Sequence, residues 1–349
     1  MVKSKYVLTY SLLLLLTLQG FAQHTRQLLV VDTVRLPEQQ EGGLAIMEPM
    51  KCSPEGDLYV RFARGTPELG VTVVSEDNQH IYRLDTTNLP ELNGSYLLDF
   101  APGSNHTVFF LVGRRTEPKA SVEHDIVTLR DDGTKTITRI DSPPGASLRQ
   151  IAVLGSDSFA IAGYVQATGR GEKPFLGIFD DRGQFQREVT LKGDLQPKDV
   201  VRSKLMSNRG QPVDAFVGWL EVSSLQTAGD GRAYLMRRSP EGPVFLISPG
   251  AAVKKVKLKP PEKGAVLSSV KIGTGVIAAE YYMSDSSSHT PRMHYLTLTD
   301  LVHGRLQQVI RYQGGQSVGV GMVCYGEKGF EFLSQDSDGY LEAVTAAGR

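Results

Sequence analysis

Short stretches of apolar residues recur along the chain, and Gly, Asp, Asn or Pro separates each stretch from the next. Within them, β-branched and aromatic residues alternate with polar ones, as in residues 125–130 and 135–140 on either side of Asp131-Asp132-Gly133. A period of two across such a turn predicts a β-hairpin. No segment of useful length has the period of an amphipathic helix, so the predicted fold class is all-β.

The hairpins form a repeat of about fifty residues, and each repeat holds two strand pairs. The first pair of each unit turns at a Gly- or Pro-rich site; these sites are residues 53–56, 102–104, 155–157, 229–231, 273–275 and 326–328. Four strands in a unit of about 40–50 residues are typical of a β-propeller blade. We therefore predict a six-bladed β-propeller with four-stranded antiparallel blades.

The sixth unit is one strand short, because the chain ends soon after the strand predicted at residues 340–344. Residues 28–36, at the other end of the chain, read as an unassigned β-strand. We expect this N-terminal strand to complete the last blade, which would close the ring and cover an otherwise unpaired edge.

The first 22 residues have the features of a secretory signal peptide. Lys3 and Lys5 precede an apolar stretch, and small residues at Gly20 and Ala22 precede the predicted cleavage site. The stretch is shorter than the ~20 residues of a membrane-spanning helix. We predict a secreted or periplasmic protein with no membrane span after cleavage, in which residues 23–349 form one propeller domain with an insertion at about 193–215.

Charge and composition restrict the function. Lys plus Arg total 38 and Asp plus Glu total 38, so the basic excess of a nucleic-acid-binding protein is missing. The 36 Gly and 18 Pro fit a chain with many turns. Hydrophobic residues make up 40% of the chain, which is enough for a sizeable core.

Cys52 and Cys324 are the two cysteines of the chain. They occupy matching places, near the first strand of unit one and the first strand of unit six, which are neighbours in a closed ring. An exported protein can form a disulfide there. Two buried free thiols remain the alternative, since inner strands that diverge would hold the cysteines too far apart.

Several turns rich in Asp, Glu and Gly precede an aromatic or aliphatic strand, as in residues 53–57, 229–235 and 338–341. The chain thereby resembles six-bladed propellers of the NHL-repeat and gluconolactonase-like kind. This resemblance implies a divalent metal in the central tunnel, held by a first-blade Glu and later Asn and Asp residues. Glu48 stands near that place, but the Gly or Ser that precedes Pro in the family motif is missing, and no Ser-Asn-Gly-Leu follows. We therefore predict no metal site and no cofactor.

Arginines gather in the segments that join the second and third strands of the units. Those predicted to bind a ligand are Arg114, Arg115, Arg237, Arg238 and Arg292. Guanidinium groups favour carboxylates and other anions, although exposed loops often carry Arg without any ligand.

No motif or group of residues typical of a catalytic site is found in the sequence. The prediction is a non-catalytic binding module of the cell envelope, with an unknown protein, glycan or anionic small molecule as partner; the alternative is a metal-dependent hydrolase of the lactonase-like kind.

Overall fold

The protein is all-β, as predicted. The structure, a computed structural model, describes residues 26–39, 50–61, 69–115, 122–167, 171–191, 201–206, 212–217, 223–237, 244–283, 293–313, 321–338 and 340–348. These residues contain no α-helix, and a single 3-10 turn lies at Pro90–Leu92. No helix among them is long and apolar enough to cross a membrane. The predicted signal peptide, residues 1–22, lies outside the described residues.

Four sheets each consist of four consecutive antiparallel strands. We number the strands in chain order, beginning with β1 (Arg26–Gln39). Unit 1 contains β2 (Met50–Cys52), β3 (Leu58–Arg61), β4 (Gly70–Val74) and β5 (Ile81–Asp85). Unit 2 contains β6 (Tyr96–Pro102), β7 (Val108–Arg114), β8 (Glu123–Leu129) and β9 (Lys135–Arg139). Unit 3 contains β10 (Ala146–Leu154), β11 (Ser158–Ala167), β12 (Gly171–Asp180) and β13 (Phe185–Glu188).

A separate two-stranded sheet follows, formed by β14 (Val201–Met206) and β15 (Pro212–Val217). It overlaps the predicted insertion at about 193–215, part of which lies outside the described residues. Unit 4, the fourth of the four-stranded sheets, contains β16 (Ser223–Thr227), β17 (Ala233–Arg237), β18 (Val244–Ile247) and β19 (Val253–Val256).

The last eight strands form one sheet with two halves. Unit 5 contains β20 (Ala265–Ile272), β21 (Val276–Met283), β22 (Met293–Asp300) and β23 (Leu306–Gln313). Unit 6 contains β24 (Met322–Gly326), β25 (Gly329–Gln335) and β26 (Tyr340–Gly348), and β1 pairs antiparallel with β26 as its fourth strand. The predicted completion of the last unit by the N-terminal strand is confirmed. The halves join where Arg26 and Gln27 pair in parallel with β23.

The core explains why the units stay together. Six apolar clusters each draw buried residues from two successive units, and the last of them joins unit 6 to unit 1. In that last cluster Leu36 of β1 packs with Leu58 and Val60 of unit 1 and with Leu333 of unit 6. Each of the six units therefore packs against both of its neighbours, and the propeller-like arrangement closes on itself. We call the contact between units 6 and 1 the seam.

Candidate functional site

A buried lysine joins four units across the centre of the ring. Lys51 lies on β2, the inner strand of unit 1, and its Nζ donates to Oδ2 of Asp99 in unit 2 at 2.7 Å. The same nitrogen donates to the carbonyl oxygens of Ile151 in unit 3, at 3.0 Å, and Leu225 in unit 4, at 3.2 Å. Since unit 4 lies opposite unit 1 in the ring, the ammonium group lies near the axis.

The surroundings of Lys51 satisfy its charge. Both side chains of the Lys51–Asp99 ion pair are 4% exposed. Asp99 Oδ2 also accepts from the backbone N–H of Ile151 at 2.8 Å. Burial lowers the pKa of Lys51 and raises the pKa of Asp99, and the attraction between the two groups opposes both shifts. Three oxygen acceptors around Nζ, and two donors on the carboxylate, favour the charged pair.

Further polar side chains extend this central layer. Gln150 of unit 3 accepts the N–H of Leu225 through Oε1 at 2.8 Å. Gln226, the next residue of unit 4, accepts Lys271 Nζ from unit 5 at 2.7 Å and the hydroxyl of Tyr234 at 2.9 Å. The inner strands are thus linked by side-chain hydrogen bonds as well as by apolar contacts.

Arg114, one of the predicted ligand-binding residues, contacts carboxylates of its own unit. It ends β7, and its Nη2 lies 3.5 Å from Oε2 of Glu123 and 3.9 Å from Oδ2 of Asp125. Arg139 contacts the same two carboxylates, at 2.8 Å and 3.2 Å. This cluster pairs two positive with two negative charges, so Arg114 adds little net charge to the surface.

The other predicted arginines differ in how far they are described. Arg115 is exposed and follows β7 directly. Arg237 ends β17, in the place that Arg114 has in β7. Arg238 and Arg292 lie outside the described residues, so the predicted ring of arginines stays a prediction.

A buried carboxylate that the sequence analysis missed lies between units 5 and 6. Glu280 on β21 is fully buried. Its Oε1 accepts from the Tyr312 hydroxyl at 2.6 Å and contacts Nδ1 of His294 at 2.8 Å, and its Oε2 accepts the N–H of Met322 at 2.9 Å. Gly321, at φ +101°, leaves room for this carboxylate, because a Cβ there would lie 2.8 Å from Oε2.

Glu280 orients His294. The contact between Oε1 and Nδ1 turns the imidazole so that Nε2 points away from Glu280. Tyr282 and Tyr312 flank the imidazole on the neighbouring strands, with ring centroids 6.4 Å and 5.1 Å away. The arrangement can fix a histidine for hydrogen bonding, and no partner for Nε2 is found among the described residues.

At the seam, a disulfide joins Cys52 and Cys324, whose Cα atoms are 5.6 Å apart. This separation lies in the usual range for disulfides. Next to it, the turn between β4 and β5 contacts unit 6: Lys328 Nζ donates to the carbonyl of Asp77 at 3.0 Å, and Asn78 donates to the Thr345 hydroxyl at 3.1 Å.

Glu331 of β25 is buried beside this disulfide, opposite Cys324 in the strand register. It is 5% exposed, and its Oε2 has no hydrogen-bond partner among the described residues. Burial, together with the nearby carboxylates of Glu76 and Asp57, raises its pKa to about 8. Glu331 is therefore protonated at neutral pH, which removes the cost of an unpaired buried charge.

The structure gives no candidate metal centre in the ranges it describes. Within those ranges, no three His, Cys, Asp or Glu side chains are grouped so that they could hold a metal ion. Glu48, the residue that the family resemblance singles out, lies outside them. Asp336 stabilises its own turn by accepting the backbone N–H groups of Asp338 and Tyr340. Both Asp336 and Asp338 also form ion pairs with Arg35 of β1.

No family model matches the chain, and no curated protein matches it. It is similar to the β-propeller domain of the Trilobed protease from Pyrococcus furiosus, with 12% identity over 86% of this chain and 95% of that one and a TM-score of 0.42. It is also similar to a protein of unknown function from Bacteroides thetaiotaomicron VPI-5482, with 10% identity, 93% and 76% coverage and a TM-score of 0.41. A third similar structure, YCF48 bound to D1 peptide, has 11% identity, 90% and 94% coverage and a TM-score of 0.40.

Proposed function

We propose that the protein is an exported, non-catalytic binding module of the cell envelope, which binds an anionic partner at the arginine face. The arginine face comprises the segments that join the second and third strands of each unit. Arg115 directly follows β7 there, and Arg114 and Arg237 end the strands that lead into two of these segments. The observation that carries the proposal is the position of Lys51 near the axis of the ring.

Lys51 takes the role that a metal ion would have in a catalytic tunnel. Its ammonium group is surrounded by one carboxylate oxygen and two backbone carbonyl oxygens from three other units. These are the oxygen ligands that hard cations prefer. A divalent ion added beside them would meet a fixed positive charge, so the geometry disfavours the alternative hydrolase with an axial metal. A ligand is then expected on an outer surface of the ring.

Arg115 is the described residue best suited to such a ligand. It is exposed, whereas its neighbour Arg114 is neutralised by Glu123 and Asp125. A guanidinium group on an exposed segment offers paired donors to a carboxylate. We therefore infer that carboxylate-bearing molecules, either acidic peptides or acidic glycans, are the partner class.

Titration with a hexaglutamate peptide, followed by microscale thermophoresis, tests this inference. We expect saturable binding that weakens at least tenfold in the double variant Arg115→Glu/Arg237→Glu. The matched control is Arg182→Glu, an exposed arginine in the turn between β12 and β13, which should leave binding unchanged. Equal weakening by the control, or no saturable binding by the wild type, would refute the arginine face.

The hydrolase alternative has its own test. The protein is mixed with Ca²⁺, Zn²⁺ or Mn²⁺, and both its melting temperature and its hydrolysis of a simple lactone are measured. We expect neither quantity to change. A metal-dependent hydrolysis that increases when Lys51 is replaced by Met would favour the metal-dependent hydrolase.

A further inference from the structure

The outer edge of unit 6 differs from the outer edges of the other units. β1 is 14 residues long, whereas the outer strands β5, β9, β13, β19 and β23 have four to eight residues. Short, charged outer strands are the usual protection against unwanted pairing. β1 instead presents consecutive apolar residues there, with Leu29 40%, Val30 45% and Val31 63% exposed.

In the described part of the structure, the outer edge of β1 is unpaired along most of its length. β26 covers one side of β1, and on the other side β23 pairs with Arg26 and Gln27 only. From residue 28 to residue 34, no described strand pairs with the outer side. The register with β26 shifts at Val31, which is the extra residue of a bulge. The bulge limits how long a flat strand can pair here, so the edge suits a short segment.

Two positive charges lie at the end of this edge where β1 pairs with β23. Arg26 and Arg311 are both exposed and lie on neighbouring strands where β1 meets β23. Arg311 is adjacent to Gln27 in the register, so the two arginines lie on opposite faces of the sheet edge. Neither forms an ion pair within the described residues.

We propose that the open edge of β1 binds the C-terminal segment of a partner protein as an added antiparallel strand. Such a strand runs toward residue 28 and meets the end of β23, so it must stop there or leave the sheet. Arg26 and Arg311 lie at that end of the added strand, one on each face of the sheet, and their positive charges complement a terminal carboxylate. Main-chain hydrogen bonds supply the affinity, while Leu29, Val30 and Val31 favour a segment of β-branched residues.

The same geometry argues against a second copy of the chain as the occupant. If a second copy of β1 paired antiparallel so that its apolar run faced residues 29–31, its own continuation toward Gln39 would collide with β23. A free chain end avoids this collision. The inference concerns a different surface from the arginine face and does not depend on it.

Fluorescence anisotropy with a labelled heptapeptide, Lys-Thr-Val-Thr-Val-Thr-Val, tests the proposal on the purified protein. The peptide is compared as a free acid and as a C-terminal amide, a comparison that needs no variant. We expect saturable binding of the acid and at least tenfold weaker binding of the amide. No saturable binding of the acid, or equal binding of both forms, would overturn the proposal.

Variants then locate the site. Arg26→Gln/Arg311→Gln should lower the affinity for the free acid to the affinity for the amide. The affinity for the amide should stay unchanged. Val31→Lys should weaken the binding of both peptide forms. Val302 is 72% exposed in the turn before β23, and the matched control Val302→Lys should weaken the binding of neither form. Equal losses in Val31→Lys and Val302→Lys would contradict the site. A wild-type dimer in sedimentation equilibrium that Val31→Lys dissociates would assign the edge to a second copy and overturn the proposal.

Discussion

Replacing Glu331 by Gln is expected to stabilise the protein at neutral and alkaline pH. The side chain is 5% exposed, faces the carboxylates of Glu76 and Asp57, and leaves its Oε2 without a partner among the described residues. Gln has nearly the same shape and carries no charge. It also offers an N–H donor to the neighbouring carboxylates, so the substitution removes the ionisable group without leaving a cavity.

The magnitude follows from the raised pKa of Glu331. In the unfolded chain this carboxyl ionises near its ordinary pKa of 4.5, whereas in the fold it stays protonated to about pH 8. Between these values the folded state binds one proton more than the unfolded state, so stability falls as pH rises. At about 1.36 kcal/mol per pH unit, the loss approaches about 4–5 kcal/mol and is complete above pH 8. Glu331→Gln should avoid this loss.

Urea unfolding of both proteins from pH 4 to pH 9 measures the effect. The difference in unfolding free energy should be small near pH 4, increase through pH 7 and level off above pH 8. Glu188→Gln, an exposed glutamate on the outer strand β13, is the control and should show a flat difference. A flat difference for Glu331→Gln, or a variant less stable than wild type at pH 8, would refute the reasoning. Carboxyl ¹³C NMR can follow the ionisation of Glu331 directly.

Three further changes test the central layer, a buried histidine and the seam. Lys51→Met should lower the unfolding free energy by about 3–5 kcal/mol, because it leaves the buried Asp99 carboxylate unpaired. A urea-unfolding midpoint equal to that of wild type would contradict this expected loss of stability. Burial, assisted by nearby positive charges, lowers the pKa of His124 from 6.5 to about 4. Because the unfolded chain therefore binds this proton at a higher pH than the fold does, the free energy of unfolding should fall by about 3 kcal/mol as the pH drops through this range. His124→Gln should abolish this acid-induced loss in thermal melts, and an unchanged loss would contradict the prediction. Cys52→Ser/Cys324→Ser should cost about 2–4 kcal/mol in urea, while two reactive thiols in denatured, unreduced wild-type protein would show that the disulfide does not form.

The strands and their pairing could be predicted because their signals are local. Alternation of apolar and polar residues marks each strand, and the Asp, Asn and Gly turns mark each hairpin. The place of β1 also followed from counting, since the last unit lacked one strand and residues 28–36 supplied one. The ion pair of Arg114 could also have been predicted from the sequence, because the predicted hairpin places Arg114 opposite Glu123 on the paired strand.

The central and inter-unit contacts could not be predicted, because they join residues that only the closed ring brings together. Lys51 meets Leu225 across 174 positions of sequence, and no periodicity encodes that distance. A weaker signal was present: Lys51, Glu280 and Glu331 each lie between two apolar residues of a strand. A charged residue in such a strand indicates a buried charge, but it does not identify the partner that neutralises it.

The two ends of the described chain lie side by side in unit 6, where Leu28 pairs with Gly348. A short linker from residue 348 to residue 26 would therefore join β26 to β1 as an ordinary hairpin. The chain can then be opened at an exposed turn elsewhere, such as the one at His303 and Gly304, without losing any strand pair. Circular permutants of this protein should fold, and tags fused directly before residue 26 or after residue 348 would leave the ring at the same point.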